Sequence, residues 1–171
     1  TEPTPPVNSQ TASGEPARAE RRELERFHGT VNPAAVRAAW PYLASRDRAL
    51  RYAARVAIEH QPVAEWRDRA LRENDPRSQL AALLALVRCG APDLKSPGLG
   101  VLAKLPWARL SRDEQLELLR VYSLVGTRFG RPAGADRERS LRHVDARFPA
   151  GSYELNKELA PFRILKGTEV D

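Results

Sequence analysis

Arg48, Arg51 and Arg55 recur at intervals of three and four residues, the spacing that sets side chains on one face of a helix. Arg77 and Arg88 fall near corresponding positions on a second helix two elements later. Planar guanidinium groups in a row can grip carboxylates or phosphates through paired hydrogen bonds, so these five residues are the candidate surface for an anionic partner. The competing reading is that they solvate an outer edge, and spacing alone leaves both open.

Other chemistry is thin. His28, His60 and His143 lie far apart and lack metal-ligand spacing with Cys89 or a carboxylate, so each is expected to cap a helix or face solvent. Cys89 is the single cysteine, which excludes an intramolecular disulfide; at the end of an apolar helix it is expected to be a buried, inert thiol. There is no CxxCH for c-type haem attachment, no phosphate-binding loop around Gly98-Leu99-Gly100 and no GxSxG elbow. Carboxylates mostly have an arginine one turn away: Arg55–Glu59, Glu65–Arg69 and Asp68–Arg72 are i, i+4 pairs, expected on a solvated face. No pair of acids stands out as general acid and base. No metal or cofactor is expected, and the chain reads as non-catalytic. Trp40 and Trp66 fall on apolar helix faces as packing residues, whereas Trp107, after Pro106, has no core helix around it.

The elements carrying these residues are helical. The 171 residues are 42% hydrophobic and 29% charged, enough for one domain with a core. Alanine, leucine and arginine dominate while isoleucine and threonine are sparse, a balance that favours helix. The net charge of +6 is spread: −2 over residues 1–16, 14 basic against 9 acidic groups over 17–90, and 14 against 11 over 91–171. Such a spread aids solubility and weakly favours anionic partners without making a nucleic-acid footprint. No run approaches the roughly 18 apolar residues of a membrane span.

Residues 1–16 are rich in proline, serine and threonine and read as a disordered linker. The helical domain is expected over 17–160, with an irregular tail over 161–171. A short charged helix ends near His28-Gly29, and Asn32-Pro33 caps the next, which Pro41 kinks or ends. Ser45 or Asp47 starts a helix with the buried stripe Leu50, Ala53, Ala54, Ala57 and Ile58. A further helix carries Val63, Trp66, Ala70 and Leu71, and Asp75-Pro76 opens another whose stretch Leu80–Val87 is apolar throughout. Residues 91–110 read as a connection with one short turn around Val101–Leu105. Ser111 and Glu114 make a capping box for a long helix ending at Gly126 or Gly130. A helix over about 136–147 follows, and the last stretch gives a short helix broken by Pro161.

Aligning Asp47 with Asp75 superposes Ala53 on Ala81, Ala54 on Ala82, Ala57 on Ala85 and Ile58 on Leu86, and also sets Tyr52 against Leu80. An offset of one helical hairpin predicts stacked helix pairs, an all-α, HEAT-like solenoid whose inner helices line a concave surface.

The stretches AAWPYLASRDRALRYAARVAIEHQPVAEWRDRALREN, LAALLALVRCG, LPWARLSRDEQLELLRVYSLVGTRFGRP and FPAGSYELNKEL together resemble the HEAT-like segment of large exported multidomain proteins of planctomycete-type bacteria. In that family the segment lies between a sugar-dehydrogenase-like β-propeller and a c-type cytochrome domain. The resemblance implies an α-solenoid, an envelope location and a spacer or docking role. Here the chain instead turns to PFRILKGTEVD and carries no cytochrome motif, so haem, dehydrogenase activity and electron transfer are not assigned to it. A start at Thr1 without a signal-peptide pattern suggests a piece of a longer protein. The expectation is therefore a scaffold that binds a protein partner or neighbouring domains. The alternatives are a nucleic-acid-binding HEAT-like protein using concave-face arginines, as in HEAT-like DNA glycosylases, and the remnant of an enzyme whose catalytic domain lies elsewhere.

Overall fold

A computed structural model describes residues 14–167, with side chains through residue 162. Among these residues there are nine α-helices and no strand: α1 (Glu15–Glu25), α2 (Ala35–Ala39), α3 (Arg48–Glu59), α4 (Val63–Arg72), α5 (Pro76–Cys89), α6 (Lys95–Leu102), α7 (Arg112–Phe129), α8 (Gly134–Asp145) and α9 (Tyr153–Gly167). The chain is all-α, as its composition predicts. Most of the expected linker lies outside the described residues; its last two positions, Glu15 and Pro16, already belong to α1.

Three helix starts follow the expected chemistry. The Asp47 carboxylate accepts from the N–H groups of Ala49 at 2.7 Å and Leu50 at 3.2 Å. Asp75 accepts from Ser78 N–H at 2.8 Å, with Pro76 in the first turn, where a missing N–H costs nothing. Ser111 and Glu114 cap each other reciprocally.

Helices α3, α5, α7 and α9 are successive neighbours, and α4, α6 and α8 form a second succession packed against them. Helix α1 lies against α3, while α2 and the 3-10 turn Trp40–Ala44 pack on α3 and the turn also reaches α5. Pro41 thus converts the end of α2 into that tighter turn, as expected of a proline following a helix. Helix α5 touches α3, α4, α6 and α7. Leu80, Ala81, Ala82, Leu83, Ala85, Leu86 and Val87 are consequently all buried. Each such leucine contributes roughly 1.5–3 kcal/mol of burial energy. The aligned alanines Ala53, Ala54 and Ala57 of α3 and Ala81, Ala82 and Ala85 of α5 are buried too, and their small size lets neighbouring helices approach closely. One matched pair diverges: Leu80 is buried whereas Tyr52 is 59% exposed, because among the described residues no helix covers the face of α3 that bears it.

Several expectations need correction. Asn32 does not cap α2 directly. Its side chain accepts from Ala34 N–H at 2.9 Å in a local turn, and the helix starts at Ala35. The supposed connection over 91–110 contains α6, a true helix despite Pro97, Gly98 and Gly100. Pro97 sits in the first turn, and burial of Leu99 and Leu102 among α4, α5, α7 and α8 offsets the glycine entropy. Helix α7 runs through Gly126 and stops at Gly130, whose φ of +81° suits glycine. Pro161 does not break α9, which continues to Gly167 where an irregular tail was expected. Proline there frees the Lys157 carbonyl, but both residues are exposed, so water can bond it, while buried Leu155, Leu159 and Phe162 hold the helix in place.

Candidate functional site

Where α3, α5 and α7 lie side by side they leave a groove of about 560 Å³. Its floor is apolar, made by Ala81 and Leu84 of α5 with Leu116, Val121 and Leu124 of α7. Leu84 is the one residue of the Leu80–Val87 run that is not fully buried, and this opening is the reason. One wall is Arg48, Arg51, Tyr52 and Arg55 of α3; the other is Asp113, Glu117 and Arg120 of α7.

The arginines differ in how far they are committed. The Arg51 guanidinium donates to the Ser45 carbonyl at 2.7 Å, which ties it to the link before α3. Arg55 pairs with Glu59 and lies over the Tyr52 ring at 5.2 Å. Arg48 has no ion-pair partner among the described residues. It stands in the first turn of α3, where the helix dipole disfavours a cation, so helix stability does not account for it. Arg120 has Glu158 at 3.9 Å on an exposed face, a pair of little energetic weight. Burial pushes the Glu117 carboxyl above its ordinary pKa, with Arg51 and Arg55 pulling it back and Glu114 adding to the rise.

Arg48, Arg51 and Arg55 therefore converge on one groove, but Arg77 and Arg88 do not join them. Arg77, at the N-terminal end of α5, donates to Glu114 at 2.8 Å. Arg88, near its C-terminal end, donates to Glu59 at 2.8 Å. The 28-residue alignment carried the warning: it sets Arg48, Arg51 and Arg55 against Pro76, Gln79 and Leu83, and Arg77 and Arg88 against Ala49 and His60. Arg120 and Glu117 were missed because nothing in the sequence says that α7 faces α3 across α5.

The lining holds no serine, cysteine or histidine. What these groups can do is bind: cations for acidic groups, apolar floor for a side chain, and a half-buried carboxylate for an N–H donor. Among the described residues no three His, Cys, Asp or Glu side chains are grouped to hold a metal, and no helix is long and apolar enough to cross a membrane.

The remaining candidates resolve into structural roles, with corrections. Glu65 and Arg69 do not pair as expected; Arg69 stacks on the Trp40 ring at 4.2 Å. The Arg55–Glu59 pair is largely covered, not solvated. Cys89 is exposed rather than buried, yet its thiol reaches the Glu59 carbonyl at 3.6 Å, and desolvation together with the Glu59 carboxylate raises its pKa above the usual thiol value. Trp107 sits in a 3-10 turn, partly buried against the core, with the Arg147 guanidinium 5.8 Å from its ring centre. His28 bonds the Ala53 carbonyl at 2.9 Å and so ties the end of the α1 segment to α3.

His143 is neither a cap nor solvent-facing. Its Nε2 donates to the Leu105 carbonyl at 2.9 Å, which leaves Nδ1 to accept from the Tyr122 hydroxyl at 3.0 Å. That arrangement suits the neutral ring, and burial, aided by Arg147, lowers the His143 pKa below its ordinary 6.5. The unfolded chain therefore binds a proton more readily as pH falls below about 6.5, and stability present above that value is lost through the lower native pKa. Lowering the pH from about 7.5 to about 5.5 should move the urea midpoint of the native chain further in the destabilising direction than that of His143→Asn. Glu117, whose pKa is raised, acts in the opposite direction in both proteins and cancels in that comparison. Equal pH shifts in the two would remove the titration from His143.

Comparison with protein-family models, with curated proteins and with solved structures finds no match to this chain.

Proposed function

We propose that this chain is a non-catalytic, HEAT-like helical-repeat scaffold that docks an extended, acidic and apolar segment of a protein partner in the α3–α5–α7 groove. The observation that carries this reading is an apolar floor bracketed by Arg48 and Arg120, two cations on separate helices with little internal compensation. The two successions of neighbouring helices, α3–α5–α7–α9 and α4–α6–α8, and the 28-residue match between α3 and α5 support the solenoid description. The apolar floor of Ala81, Leu84, Leu116, Val121 and Leu124 has no use for a phosphodiester backbone but accepts apolar side chains, which favours a peptide over duplex DNA. The resemblance to a segment between a propeller and a cytochrome domain adds a role as spacer within a larger exported protein.

The test is fluorescence anisotropy with a labelled peptide of about twelve residues alternating glutamate and leucine, long enough to span a groove of this kind. Saturable binding is expected, weakened about tenfold or more by Arg48→Glu with Arg120→Glu, since a reversed charge both removes attraction and adds repulsion. A serine-for-leucine peptide should bind less well because it leaves the floor unfilled. Absence of saturable binding at low salt would sink the docking role, and tighter binding of a short DNA duplex would turn the reading to nucleic acid.

A further inference from the structure

A second cleft, of about 720 Å³, is bordered by residues 44–46 before α3, by residues 71–76 where α4 ends and α5 begins, and by residues 101–109 from the end of α6 toward α7. Its polar lining contains both signs of charge, but the two signs are not equally available. Glu73 accepts from the Trp40 indole N–H at 2.7 Å and from the N–H groups of Asn74 at 2.8 Å and Asp75 at 3.0 Å. Asp75 caps α5 through Ser78 N–H. Glu114 accepts from Ser111 N–H and from Arg77, each at 2.8 Å. Burial opposes ionisation of Glu73 and Glu114, yet these donors outweigh it and hold both carboxyls below their ordinary pKa. The acids are thus turned to donors of their own chain.

The cations are not. Arg77 is paired with Glu114 and Arg72 with Asp68 at 3.3 Å. Arg46, Lys104 and Arg109 line the same cleft, and their side chains make no hydrogen bond or ion pair among the described residues. They come from two different links, Arg46 from the one before α3 and Lys104 and Arg109 from the one between α6 and α7. A single small charge could satisfy one of them; an anion with several charged groups could engage all three.

We propose that this cleft binds a small anion carrying several phosphate groups, held by Arg46, Lys104 and Arg109, with Asn74 beside them as a neutral donor. Arginine matches phosphate oxygens with paired N–H donors and lysine supplies a point charge. The cavity has the size of a small-molecule site. Its polar lining offers little to an apolar peptide, which separates it from the α3–α5–α7 groove, and the inference does not depend on the function proposed for that groove.

Titration calorimetry of the chain with sodium tripolyphosphate at low salt tests it. Saturable binding is expected, lost about tenfold or more in the triple variant Arg46→Ala, Lys104→Ala and Arg109→Ala, and weakening steeply with added salt. All three side chains are exposed, so the variant should keep its helicity; Lys104→Glu alone provides a milder second variant should it not. The control Arg48→Ala with Arg120→Ala, in the other groove, should keep full affinity. No saturable binding of tripolyphosphate, equal losses in the triple variant and the control, or binding of a DNA duplex in preference to tripolyphosphate would each overturn the proposal.

Discussion

Trp66→Ala is expected to destabilise the chain by roughly 3–5 kcal/mol, the range for deleting a large buried aromatic side chain. Trp66 is fully buried, its helix α4 packs on both α5 and α6, and its indole N–H donates to the Gln61 carbonyl at 3.2 Å. Alanine leaves a cavity that the surrounding backbone cannot close and strips a buried carbonyl of its donor. Since domains of this size are stable by only about 5–15 kcal/mol, the variant should unfold at a much lower urea midpoint, read by far-UV circular dichroism. Trp66→Phe, which keeps most of the volume but loses the N–H, should cost markedly less. A loss under about 1 kcal/mol for the alanine variant would mean that α4 is not packed as described.

Gln61→Leu is the second large effect, and here volume is preserved while polarity is removed. The Gln61 side chain is buried and makes three hydrogen bonds. Its amide N–H₂ donates to the carbonyls of Thr30 and Ala57, each at 3.0 Å, and its oxygen accepts from Asn32 N–H at 2.8 Å. It thereby pins the loop between α1 and α2 to the end of α3. Leucine leaves two carbonyls and an N–H short of partners in a covered place, at a cost of roughly 2–4 kcal/mol. Faster hydrogen exchange at the Asn32 amide should accompany the lower midpoint; an unchanged amide would show that the loop is held by something else. Trp66 donates to the main-chain carbonyl of Gln61, which leucine keeps, so the two residues are neighbours at the end of α3 and a double-mutant cycle should expose coupling through that shared backbone.

The hydrogen bonds of Gln61 and Trp66 are not legible in the sequence, and for one reason. Gln61-Pro62 reads locally as a helix terminus, and nothing in the sequence shows that the chain passes back over it at Thr30 and Asn32. Trp66 was legible as a packing residue from its place on an apolar face, but not its bond to Gln61. His143 is the sharper case: its position near a helix end suggested solvent, while the tertiary structure sets it between Tyr122 and Leu105, distant in sequence.

The caps at Asp47, Asp75 and Ser111 and the buried stripe of α3 were determined by the sequence alone, because each depends on residues within a few turns of one another. An aspartate, a proline and alanines at helical spacing set local hydrogen bonding and the face that must be covered, whatever covers it. Tertiary structure decided which faces stay uncovered. It sorted five similar arginines into a groove, a capping pair and a lateral pair, and it let Pro97, Gly98 and Pro161 remain inside helices. It also gathered Arg46, Lys104 and Arg109 around one cleft. Those outcomes depend on neighbours tens of residues away, whose burial energy and hydrogen bonds offset a local resistance of about 1 kcal/mol for a glycine and about 3 kcal/mol for a proline within a helix.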